Sequence, residues 1–137
     1  MKELISITAI GSVSPLGMTS EETWENYLKD NHFFIQTEFG GEMEWIAPLS
    51  NESKREIEVL RNSDNKYKSL DNSVLYALYA SRYAVAKAGW KVGDDFGVNI
   101  GSSRGATALF EKYHQEFLEN NRTATLSSPT TTLGNIS

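Results

Sequence analysis

The side chains able to do chemistry in this chain are few, and one type is missing. There are two histidines, His32 and His114, and no cysteine. A disulfide framework, a thiolate metal site and a thiol nucleophile are therefore excluded within these residues. Neither histidine has a second histidine or a carboxylate at a spacing typical of zinc ligands. His114, with Glu111 three residues before it and Glu116 close behind, reads as part of a solvated helix face. Ser14, Ser103 and the Ser/Thr run from Thr123 to Thr132 contain no Gly-x-Ser-x-Gly elbow, so no serine hydrolase is signalled. Capping and turn duties account for those hydroxyls.

The turn Gly101-Ser102-Ser103-Arg104-Gly105 lies between a strand-like run and a helix-like one. A helix N-terminus offers free N–H groups and the positive end of a dipole, which is the setting of a phosphate cradle. The spacing is wrong for one. Neither this turn nor Gly11 to Gly17 supplies a Gly-Lys-Ser/Thr ending or a Gly-x-Gly-x-x-Gly fingerprint. A structural turn is the expectation, with no nucleotide, metal or other cofactor.

The elements that would position these residues follow from periodicity and punctuation. Leu4 to Ile10 is a β-branched run without simple alternation, which suits a central strand buried on both faces. Pro15 and Gly17 break it. Thr19 with Glu22 has the form of a capping box ahead of a helix from about Ser20 to Lys29. An extended piece is expected around Glu44 to Ala47, and a solvated helix with a thin apolar face of Ile57, Val59 and Leu60 over Asn51 to Asn65. Asp71 reads as the N-cap of a helix running to Ala88 and stopped by Gly89. That helix is rich in alanine, so it can lie close against a sheet. Tyr76, Tyr79 and Tyr83 form a second stripe on it, read either as ordinary packing with the hydroxyls in water or as a surface covered by more protein. Phe96 to Ile100 reads as a second buried strand, followed by a helix with the stripe Leu109, Phe110, Tyr113 and Phe117. Strands alternating with helices predict an α/β layer structure with a mixed sheet. Asn120 to Thr132 has the composition of a linker.

Bulk properties bound the partners. The chain has 137 residues, a formal net charge of −5 and a pI near 5.0. Nucleic-acid backbones and anionic membranes would repel it. No apolar run approaches the roughly 20 residues needed to cross a bilayer. The amino terminus has no signal-peptide pattern, so a cytoplasmic protein is expected.

The run Ile7-Thr8-Ala9-Ile10-Gly11-Ser12-Val13-Ser14-Pro15-Leu16-Gly17, followed by a helix with Trp24, resembles the opening of β-ketoacyl-acyl-carrier-protein synthases. Ala86 to Trp90 is similar to that family's "DAGL" helix end, and Val98 to Gly105 to its "GVIIGSG-G" strand and turn. Ser127 to Asn135 is similar to the loop before its "N-M-A-G" helix. The wording of Gly101 to Gly105 and Thr130 to Ser137 is closer to ketosynthases of polyene-pigment-type pathways. The resemblance implies part of a thiolase-like fold and a decarboxylative Claisen condensation of acyl and malonyl thioesters. It implies an acyl carrier protein as partner, delivering substrates on phosphopantetheine, and a dimer. A cysteine at a buried helix N-terminus would be the nucleophile, its pKa lowered by the helix dipole. That cysteine and the two supporting histidines would lie beyond Ser137, so no catalytic role falls on His32 or His114. Two substrate-side assignments carry over: Arg104, in the turn near the acyl pocket, and Thr130, Thr131 and Thr132, in the loop reaching toward the pocket across the dimer interface. Arginine departs from the apolar or small residue usual there. A charge buried against an acyl chain is costly unless paired, so Arg104 either points away or faces a shorter or more polar substrate.

Three readings compete. In the first, residues 1–137 form a truncated N-terminal ketosynthase-like domain, inactive alone. In the second, they open a non-catalytic, chain-length-factor type subunit that pairs with a ketosynthase. The third is a free-standing small α/β binding module. The first leaves apolar faces such as Phe110, Phe117 and the tyrosine stripe uncovered and predicts association, whereas the third predicts a stable monomer.

Overall fold

A computed structural model describes residues 5–103, 105–123 and 127. In chain order its elements are helix α1 (Ser20–Tyr27), strands β1 (Ile35–Phe39) and β2 (Glu42–Ile46), helix α2 (Asn51–Ser63), a 3-10 turn (Asn65–Tyr67), helix α3 (Asn72–Ala88) and helix α4 (Thr107–Asn120). The composition is α/β, as the sequence predicts.

Local sequence explains most boundaries. The capping box forms as the spacing requires: Glu22 N–H donates to Thr19 Oγ1 at 3.1 Å, and the Glu22 carboxylate accepts from Thr19 N–H at 3.3 Å. Ser50 caps α2, its hydroxyl accepting from Ser53 N–H at 3.0 Å. Asp71 caps α3 through Ser73 N–H at 2.8 Å, and the helix ends at Gly89 in the left-handed conformation. The hairpin turns at Gly40-Gly41, both with positive φ, 61° and 92°. Two residues in that region match the twist of the flanking strands, and glycine adopts it without a Cβ clash. The hairpin is antiparallel, with Ile35 opposite Ile46, Thr37 opposite Glu44 and Phe39 opposite Glu42.

The core lies between α2, α3 and the Val13–Met18 turn. Met18, Ile57, Leu60 and Leu75 form it, with Val13, Tyr67, Leu70, Tyr76, Leu78 and Tyr79 packed around them. Ile57 and Leu60 are two of the three residues that the sequence placed on the thin apolar face of α2. The third, Val59, stays outside the core and is 71% exposed. Arg61, in the last turn of α2, reaches across to the start of α3: its guanidinium donates to Leu70 O at 2.8 Å and to Asn72 Oδ1. The alanine-rich helix is closely approached, though by the N-terminal segment and not by the sheet expected from the sequence. Gly11 lies on α3 so tightly that a Cβ there would fall 2.1 Å from Ala80 O.

Two expected strands are not strands. Residues 5–10 and 96–100 carry no ladder hydrogen bonding, and Ile5, Ile7 and Val98 are largely exposed. A β-branched run favours extended backbone but does not supply a neighbour, and a central strand needs one on each side. Among the described residues the two paired strands are the hairpin's, a pairing that the irregular 31–49 segment concealed. The extended piece expected at Glu44 to Ala47 is β2, two residues earlier at its start.

Candidate functional site

The polar side chains near the N-terminal turn are held by short-range bonds. Ser14 and Gly17 exchange backbone hydrogen bonds at 3.1 and 3.0 Å, making a tight turn around Pro15 and Leu16. Asn26 Nδ2 donates to Leu16 O at 2.8 Å, and Glu22 Oε2 also accepts from Met18 N–H at 3.0 Å. A cavity of about 310 Å³ opens beneath this turn, walled by Gly17, Glu22, Asn26, Ser53, Glu56 and Tyr79 among others.

Glu56 and Tyr79 join that cavity to a groove of about 490 Å³ between α2 and α3, lined also by Val59, Leu60, Ser63, Arg82 and Tyr83. The Tyr79 hydroxyl donates to Glu56 Oε2. Burial, followed by that bond to a carboxylate, pushes Tyr79 up to about 12. Arg82 donates to the Tyr67 hydroxyl at 2.7 Å and lies over its ring. Beside the groove, Lys87 sits over the Tyr83 ring and pairs with Glu21 at 3.4 Å. The tyrosine stripe is thus half-buried, with Tyr79 bonded to protein and not simply to water.

The turn before α4 rests on the start of α3. Gly105 N–H donates to Ser102 Oγ at 2.9 Å, and Gly105 O lies 3.4 Å from Ser73 Oγ, sharing that hydroxyl with Asp71 Oδ1. Asp71, 9% exposed, places Oδ1 on Ser73 while Oδ2 has no hydrogen-bond partner among the described residues. The substrate-side residues carried over from the sequence, Arg104 and Thr130, Thr131 and Thr132, lie outside the described residues. The frame next to Arg104 is visible in Ser102, Gly105 and Ala106, which is 2% exposed.

Both histidines pack against aromatic rings. His32 contacts the rings of Phe34 and Trp45 at 6.1 and 6.4 Å, and His114 stacks on Phe110 at 6.2 Å. Among the described residues no group of three or more metal-ligating side chains gathers, and no helix is long and apolar enough to cross a membrane. These groups can shape a surface and hold a turn in place. With no thiol in the chain, they cannot form a thioester.

The Tyr79–Glu56 and Arg61–Asn72 pairings had no signal in sequence, because the partners are 23 and 11 residues apart on different helices. The Asp71 cap was legible, but the isolation of its second oxygen was not.

Comparison with known proteins fits the same frame. The profile of the β-ketoacyl synthase N-terminal domain matches residues 2–137. Proteins named 3-oxoacyl-[acyl-carrier-protein] synthase 2 from Staphylococcus aureus strains N315 and Mu50 are each 31% identical over 125 residues, covering 84% of this chain and 29% of the relative. Another of that name from Staphylococcus aureus is 32% identical over 123 residues, covering 82% of this chain and again 29% of the relative. The chain spans under a third of the length of these relatives. With the opening motif, the Gly101–Gly105 turn and the matched profile all in the same order, the chain belongs to the β-ketoacyl synthase family and corresponds to its N-terminal domain.

Proposed function

We propose that these residues are the N-terminal part of a condensing enzyme that joins acyl and malonyl thioesters by decarboxylative Claisen condensation, in fatty-acid or polyketide-type synthesis. Its natural partners are an acyl carrier protein, which presents the substrates, and a second ketosynthase subunit in a dimer, and it works in the cytoplasm. Support for the reaction class comes from the family match over residues 2–137 and from the names of the relatives.

The observation that carries the mechanistic half of the proposal is the composition: 137 residues with no cysteine. The thiolate that accepts the acyl group therefore belongs to residues outside this chain. The role of the chain itself is architectural. It supplies α3, the turn from Ser102 to Gly105 that rests on it, and Arg104 with Thr130–Thr132 on the substrate side.

Acyl transfer tests both halves. The complete protein containing these residues, given a labelled acyl-carrier donor and then denatured, keeps the label on a cysteine outside residues 1–137. The 137-residue chain alone keeps none. Label retained by the chain alone overturns the proposal, and a complete protein with no acylatable cysteine moves the reading to a chain-length-factor type subunit.

A further inference from the structure

The hairpin stands apart in both charge and covering. From Asp30 to Ser53 the chain carries Asp30, Glu38, Glu42, Glu44 and Glu52 and no lysine or arginine. Three of these carboxylates, Glu38, Glu42 and Glu44, sit on the hairpin, exposed, and no ion pair reaches them among the described residues. Between them lie exposed apolar side chains: Phe39 is 59% exposed and Trp45 60%. Cross-strand register puts Ile35, Phe39 and Ile46 on one face with Glu42 and Glu44, and Met43 and Trp45 on the other with Glu38.

A two-stranded sheet has two outer edges with unpaired N–H and C=O groups, and such edges template another strand unless something covers them. Which strand can add is decided by charge. A second copy of this hairpin would bring Glu38, Glu42 and Glu44 against their own kind, in a chain that already carries a net charge of −5. Like charges directly opposite on neighbouring strands are destabilising, whereas opposite charges stabilise the pair. A strand alternating basic and apolar residues meets both requirements along β2, where Glu42 and Glu44 lie on one face and Met43 and Trp45 on the other: its cations face those two glutamates while its apolar side chains cover Met43 and Trp45.

We infer that β1–β2 is a docking edge for an extended, lysine- or arginine-bearing protein segment, which adds to the hairpin as a third strand. Main-chain bonds would give the affinity and side-chain alternation the specificity.

The probe is a synthetic decapeptide of alternating valine and lysine, with an alternating valine–glutamate decapeptide as its opposite. Titrated into the isotopically labelled 137-residue chain, the lysine peptide shifts backbone amides within residues 35–46 and binds at least about tenfold more tightly than the glutamate peptide, a difference of about 1.4 kcal/mol. The exposed triple variant Glu38→Lys, Glu42→Lys, Glu44→Lys reverses that preference. A matched triple on α4, Glu111→Lys, Glu116→Lys, Glu119→Lys, leaves it in place. Equal binding of the two peptides, shifts centred outside the hairpin, or equal losses in both triple variants would overturn the inference, the last by making net charge the cause. Self-association of the chain that is abolished by Phe39→Ser and Trp45→Ser would also overturn it, by making the occupant a second copy.

Discussion

The Tyr79 hydroxyl donates a hydrogen bond to the Glu56 carboxylate, joining α3 to α2 where the cavity and the groove meet. Burial and the carboxylate both favour the neutral phenol, so its ionisation moves from an ordinary 10.0 up to about 12. The folded state therefore holds this proton more tightly than the unfolded chain. The associated stability is fully present below pH 10.0 and is lost as pH rises toward about 12. Of the six tyrosines, Tyr79 is expected to ionise at about 12 in an absorbance titration, and Tyr79→Phe to remove that step. The same substitution is expected to lower stability by about 1 kcal/mol, the net worth of one hydrogen bond. A titration identical in the variant would refute the pairing.

Gly11 and Gly97 make a matched pair for testing close approach. A Cβ on Gly11 would fall 2.1 Å from Ala80 O and 3.2 Å from Ala84 N, both backbone atoms, whereas one on Gly97 meets nothing within 4 Å. Gly11→Ala must push the N-terminal segment off α3, at about 1–3 kcal/mol in the manner of an overpacked core. Gly97→Ala stays within about 0.5 kcal/mol of the parent. Denaturant melts of the two variants provide the comparison, and equal midpoints would contradict the packing described.

Leu75 is 0% exposed and sits at the centre of the small cluster with Met18, Ile57 and Leu60. Leu75→Ala is expected to cost about 2–5 kcal/mol. Val59, 71% exposed at the rim of the α2–α3 groove, serves as the control, with Val59→Ala changing stability by less than about 0.5 kcal/mol. Circular dichroism melts that fail to separate the two would place the core elsewhere.

The α3 cap separates two properties of one carboxylate. Asp71 Oδ1 accepts from both Ser73 N–H and Ser73 Oγ at 2.8 Å, while Oδ2 is buried without a hydrogen-bond partner among the described residues. Asparagine retains the accepting oxygen and ranks level with aspartate as an N-cap, whereas alanine loses it. Asp71→Ala is therefore expected to destabilise by about 1 kcal/mol and Asp71→Asn by much less. Thermal unfolding in which both fall equally would show that the second oxygen matters as much as the first.

Exposed apolar side chains predict how the chain behaves in solution. Ile5 and Ile7 are 97% and 81% exposed, and Val98 and Phe110 are 64% and 61% exposed. Large contiguous apolar surface is uncommon in stable monomers. Sedimentation of the 137-residue chain is expected to show association that grows with concentration and weakens in an Ile7→Ser, Val98→Ser variant. A single monomeric boundary at all concentrations would count against it.

Helix boundaries were legible because their signals are local. Thr19 and Glu22 are three residues apart, and Asp71 and Gly89 bracket α3 as a cap and a left-handed stop. The family relation was legible for the same reason, since it rests on contiguous runs such as Ile7 to Gly17. The strands were not. Residues 5–10 and 96–100 have the composition of buried strands, but pairing depends on what lies beside them. The hairpin register escaped notice because Phe39, Met43 and Trp45 interleave with glutamates on both faces, which blurs the alternation of a half-buried strand. The substrate-side assignments to Arg104 and Thr130–Thr132 rest on sequence resemblance alone.

Arg61 belongs to the final turn of α2 yet its guanidinium grips the residues that begin α3, through Leu70 O and Asn72 Oδ1. Fraying of that turn releases the grip, and release of the grip frees the entry to the next helix. Amide protons of α2 and α3 should therefore exchange with solvent as one cooperative unit, while the hairpin, held by its own ladder, opens on a separate and faster schedule.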